Sequence, residues 1–64
     1  MPSGQERTIY FEHTAIGGSV KVVAIDSETA IEVSIVGPVS ATKADLERVA
    51  LRKLLARIER EQPD

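Results

Sequence analysis

One stretch, Thr42–Glu61, TKADLERVALRKLLARIERE, carries a helical period, and it follows segments that all read as strand. A sheet with one greasy face needs a cover, and this stretch is the only cover the chain supplies. Its 64 residues allow one domain with a small core. The expected architecture is α+β: a three-stranded antiparallel meander, order 1-2-3, with one C-terminal helix packed on one face.

Met1–Glu6 lacks any period and is expected to be a disordered tail, as is the C-terminal segment 62–64, leaving 7–61 as a single βββα domain. Arg7–Ile16, RTIYFEHTAI, is rich in β-branched and aromatic residues and suits a strand. Gly17-Gly18 then signals a two-residue hairpin turn, because both glycines tolerate positive φ. Ser19–Asp26, SVKVVAID, is the returning strand, and the polar run Ser27–Ala30 is a second turn. Ile31–Gly37, IEVSIVG, is the third strand, stopped by Pro38.

Register follows from the turns. The glycine pair sets Ile16 opposite Ser19, hence Phe11 opposite Ala24 and His13 opposite Val22. The second turn sets Asp26 opposite Ile31, Ala24 opposite Val33 and Val22 opposite Ile35. Face one then holds Ile9, Phe11, His13, Ala15, Val20, Val22, Ala24, Ile31, Val33 and Ile35. Face two holds Tyr10, Glu12, Thr14, Ile16, Ser19, Lys21, Val23, Ile25, Glu32, Ser34 and Val36. A one-residue slip in the second hairpin would turn Glu32 and Ser34 into the core.

Thr42 with Asp45 resembles a capping box with Asp for the usual Glu, and Ser40 is a rival cap. Ala50, Leu51, Leu54, Leu55 and Ile58 fall in one stripe that should face the sheet. The helix, roughly 28 Å long, matches a strand of roughly 27 Å and can cover most of face one.

The composition excludes several chemistries. There is no cysteine, so neither a disulfide scaffold nor a zinc-thiolate site can form, and one histidine cannot build a multi-histidine metal site. Neither a metal nor a cofactor is expected. No run is long and apolar enough to span a membrane, and the polar start MPSGQERT lacks a signal-peptide core, so a cytoplasmic location is expected. Charge divides along the chain: residues 1–42 sum to −3 and residues 43–61 to +2. That bias is far weaker than in typical nucleic-acid binders.

No motif carries a reaction. His13 could serve as a general base, but no nucleophile has a sequence-derived reason to lie beside it. Glu12 and Glu32 share face two with backbones roughly 12 Å apart, beyond the roughly 5–9.5 Å of paired glycosidase carboxylates. Gly17-Gly18 is followed by strand rather than helix, so it is not a phosphate loop. A catalytic role is therefore not expected.

Two surfaces remain. Tyr10, Ile16, Val23, Ile25 and Val36 interrupt the polar face of the sheet, and Leu46 and Val49 lie off the helix stripe. These residues form the candidate protein interface, with Ala56 a further off-stripe residue. Arg48, Arg52, Lys53 and Arg57, with Arg60 beyond them, form the candidate anion or nucleic-acid contact. A βββα order ending in a basic helix is similar to double-stranded-RNA-binding domains. The chain lacks their preceding helix, their lysine cluster and a net positive charge.

At Glu32–Pro38, EVSIVGP, and Ala50–Leu54, ALRKL, the chain resembles a family of short bacterial proteins classed as a domain of unknown function, with similarity from about Tyr10 to about Arg57. The resemblance implies the same three-strand-plus-helix fold and brings no activity. Such proteins often carry Thr-Gly before the third strand, where this chain has Thr29-Ala30. The function expected is a non-enzymatic protein–protein interaction module that forms a homodimer, with weak nucleic-acid binding through the basic helix face as the alternative. The partner is expected to be a second copy or another protein.

Overall fold

The computed structural model describes residues 7–61. The expected tails, 1–6 and 62–64, lie outside the described residues. The order is β1 (Ile9–Ile16), β2 (Ser19–Asp26), β3 (Glu32–Pro38) and α1 (Lys43–Glu61). The strands form one antiparallel sheet, order β1-β2-β3, with α1 on one face. The α+β meander with a C-terminal helix is thus what the chain adopts.

The expected register holds in both hairpins. Ile16 faces Ser19, Phe11 faces Ala24 and His13 faces Val22. Ala24 faces Val33, Val22 faces Ile35, and Asp26 N–H donates to the Ile31 carbonyl at 3.0 Å. β3 starts at Glu32 and runs through Pro38, one residue later at each end than the sequence suggests. In the first turn only Gly17 takes a positive φ, +60°, which is the pattern of a type II′ turn. The expectation that both glycines use their left-handed freedom is corrected: Gly18 does not.

The core is Val22, Ala24 and Val33 from the sheet against Leu46, Ala50, Leu54 and Ile58 from α1. Two corrections follow. Leu46, expected off the stripe and exposed at an interface, is buried at 7% exposure. Leu55, expected in the core, is 45% exposed, and Leu51 is only half-buried. The cause lies opposite, on β3. A Cβ added to Gly37 would collide with Leu46 Cδ2, so the bare glycine leaves a slot that Leu46 fills. Seating Leu46 there rolls the helix onto its i, i+4 ridge and turns Leu55 outward.

Thr42 is the N-cap: its Oγ1 accepts from Asp45 N–H at 3.0 Å. The Asp45 carboxylate pairs with Arg48 at 3.0 Å, so it does not depend on a reciprocal capping bond. α1 packs over β2 and β3, and reaches β1 through Glu47, whose Oε2 lies 3.2 Å from His13 Nε2. It therefore covers less of face one than its length allows. No helix among the described residues is long and apolar enough to cross a membrane.

Candidate functional site

Face two has no covering element among the described residues. Tyr10 and Ile16 are 57% and 58% exposed, and Val36 is 67% exposed. Val23 and Ile25 are half-buried on the central strand between them. The cross-strand neighbours are Tyr10 with Ile25, Glu12 with Val23, Lys21 with Val36 and Ile25 with Glu32. Tyr10, Ile25 and Val23 thus form a connected apolar path, with charged residues at its margins. Of the helix residues expected at an interface, Val49 is exposed and Leu46 is not.

The two sheet edges differ. Ser27 N–H donates to the Thr8 carbonyl at 2.9 Å, which fixes the hydrogen-bonding phase of the first hairpin. By strict alternation, Tyr10, Glu12, Thr14 and Ile16 bond inward to β2, while Ile9, Phe11, His13 and Ala15 point their N–H and C=O groups outward. On β3, the bonds Asp26 N–H to Ile31 O and Val39 N–H to Gly18 O set the opposite parity. Glu32, Ser34, Val36 and Pro38 are its outward residues. Two of them are blocked: Pro38 has no N–H, and Lys53 Nζ donates to the Ser34 carbonyl at 2.8 Å. β1 contains no proline and no lysine, and among the described residues no side chain bonds its outward groups as Lys53 bonds Ser34.

The basic set expected on the helix is divided. Arg48 pairs with Asp45, Lys53 is tied to β3, Arg57 is half-buried and Arg52 is exposed. Two of the three exposed members, Arg48 and Lys53, thus already have partners within the chain.

A cleft of about 330 Å³ opens between the sheet and the start of α1, lined by His13, Ala15, Val20, Ala41, Lys43 and Leu46. The sequence reading missed it, because it depends on α1 sitting over β2 and β3 rather than β1. Its walls are mostly apolar, with one imidazole and one ammonium among them. Among the described residues, no group of three or more His, Asp or Glu is placed to hold a metal ion.

Sequence reasoning also missed a polar cluster at the opposite end of the sheet. Asp26 is fully buried. Its Oδ2 accepts from Thr29 Oγ1 at 2.7 Å and Thr29 N–H at 3.1 Å. Thr29 Oγ1 in turn accepts from Ile31 N–H at 3.2 Å. Arg7 Nε lies 2.9 Å from Asp26 Oδ1, an ion-pair contact whose N–H is not aligned for a hydrogen bond. Burial by itself would raise the Asp26 carboxyl. The Thr29 hydroxyl and N–H, the Arg7 charge and the Glu28 N–H outweigh it and hold the group below its ordinary 3.8. The signal was available, since Asp26 shares its parity with Val22 and Ala24. The cluster ties the second turn to Arg7, just before β1.

No curated protein and no solved structure matches the chain. A family model described as a domain of unknown function matches residues 6–61. That match spans all four elements, so the chain belongs to the DUF6898 family, a domain of unknown function.

Proposed function

We propose that this chain is a small non-enzymatic protein–protein interaction module that associates with itself through its sheet, in the cytoplasm of a bacterium. The observation that carries the reading is a sheet that, among the described residues, is left open on face two, with Tyr10, Ile16 and Val36 more than half exposed, and open along β1. A domain this small has a thin core, and association is a common way to bury more apolar surface.

Sedimentation velocity at micromolar concentration is the test, and the expected species is a dimer of the 6.9 kDa chain. A monomer at every concentration overturns the reading. The double variant Val23→Lys, Ile25→Lys separates the two sheet surfaces. It breaks a dimer built on face two and spares one built on the edge.

Nucleic-acid binding through Arg48, Arg52, Lys53 and Arg57 is the weaker reading, because Arg48 and Lys53 already have partners within the chain. Binding of that kind would fall steeply with salt. Titration at two salt concentrations is expected to show no such slope.

A further inference from the structure

We propose that β1 pairs antiparallel with β1 of a second copy, with the two-fold axis passing beside His13, joining two three-stranded sheets into one of six strands. This rests on the interaction-module reading and deepens it by naming the partner, the edge and the register.

The edge follows from hydrogen bonding. Ile9, Phe11, His13 and Ala15 offer outward N–H and C=O groups along β1. Those of β3 are interrupted by Pro38 and by Lys53 on Ser34. Strand addition needs the first kind of edge and is blocked by the second. α1 packs mainly over β2 and β3 and reaches β1 through Glu47 at His13.

The partner follows from self-complementarity. In a two-fold pairing each outward residue must bond an outward residue, so the axis can pass beside Phe11, Glu12 or His13 and still use much of the strand. Beside Phe11, the overlap within β1 shrinks to Ile9–His13. Beside Glu12, that carboxylate faces the partner's Glu12 across a narrow pair with Cα atoms about 4.5 Å apart, a like-charge contact. Beside His13, the overlap runs from Tyr10 to Ile16. Tyr10 then faces the partner's Ile16, Phe11 faces the partner's Ala15, and Glu12 faces the partner's Thr14. Large meets small, the two exposed apolar residues cover each other, and no like charges are opposed in these pairs. At the axis each imidazole keeps its own Glu47 carboxylate at 3.2 Å.

The chain has no cysteine, so introduced thiols report geometry directly. Glu12 and the partner's Thr14 would have Cα atoms about 4.5 Å apart, within disulfide reach, whereas the two Glu12 Cα atoms would be about 8 Å apart, beyond it. Mixing Glu12→Cys with Thr14→Cys chains under mild oxidation is expected to give a mixed disulfide dimer, and neither variant alone should crosslink. Ala15→Pro deletes an outward N–H while leaving the β1–β2 ladder intact. It is expected to weaken the dimer about tenfold or more, because the two-fold repeats the lost bond, with an unchanged far-ultraviolet spectrum. If Ala15→Pro unfolds, the thiol pair still decides. Crosslinking of Glu12→Cys alone overturns the register. A dimer that survives Ala15→Pro but is lost in Val23→Lys, Ile25→Lys overturns the edge and leaves the interaction-module reading standing. A wild-type monomer overturns both.

Discussion

Ala30 holds a φ of +64°, a conformation that costs a residue with a Cβ about 1–2 kcal/mol relative to glycine. It is tolerated because Ala30 N–H donates to the Asp26 carbonyl at 2.8 Å and the Asp26–Thr29 bonds fix the turn. Ala30→Gly should therefore raise stability by about 1 kcal/mol, offset in part by the freedom glycine adds to the unfolded chain. A shifted urea midpoint at constant slope would show it. Gly17→Ala should cost at least about 1 kcal/mol, while Gly18→Ala, with open space around it and no positive φ, should stay within about 0.5 kcal/mol. Equal losses at both glycines would contradict the type II′ assignment. Asp26 is expected to contribute to the acid limb of stability. Its carboxyl is held below the ordinary 3.8, so the native state favours the ionised form. The contribution is fully present above 3.8 and drains away as pH falls through the lower folded value. Asp26→Asn should lower the melting temperature at neutral pH and flatten its decline in acid. An unchanged acid limb would assign that dependence to other carboxylates.

Within the elements, the strands were legible and the helix orientation was not. Gly17-Gly18 and strict alternation fix which residues share a face, since a slip of one residue turns every side chain over. Thr42 announces the helix start because a hydroxyl there satisfies an orphan N–H. A helical stripe, however, defines a broad arc, and Leu51–Leu55 compete with Leu46–Ala50 for its centre. The choice was made by Gly37, a missing side chain on a different element, whose meaning appears only once Leu46 is set against it. The open edge was illegible for a related reason: strand parity tells where side chains point, but outward N–H groups require the hydrogen-bonding phase. Two pairs of variants test the helix seating. Leu46→Ala should cost about 2–5 kcal/mol and Leu55→Ala well under half of that. Gly37→Ala should cost about 1–3 kcal/mol by forcing Leu46 from its slot, with relief when combined with Leu46→Ala. Chemical denaturation of the four chains reads out the coupling.

At the scale of the whole molecule the domain is two layers thick, with Cα extents of 42 × 24 × 16 Å, so among the described residues one face of its sheet has no cover. Joining at β1 would enlarge the uncovered face, bringing Tyr10 of each copy beside the partner's Ile16. The blocked margin at β3 then has a consequence for how many copies can join. A strand unit with two competent edges is a bifunctional monomer, and bifunctional monomers grow chains without limit. Pro38 and the Lys53 ammonium on the Ser34 carbonyl remove one of those functions. Replacing both, Pro38→Val with Lys53→Ser, should convert a discrete species into one whose light scattering rises with time and concentration. An unchanged dimer would show that the β3 margin was never competent. Under the proposed β1 pairing, that margin would act as a chain terminator and leave each folded unit a valence of one.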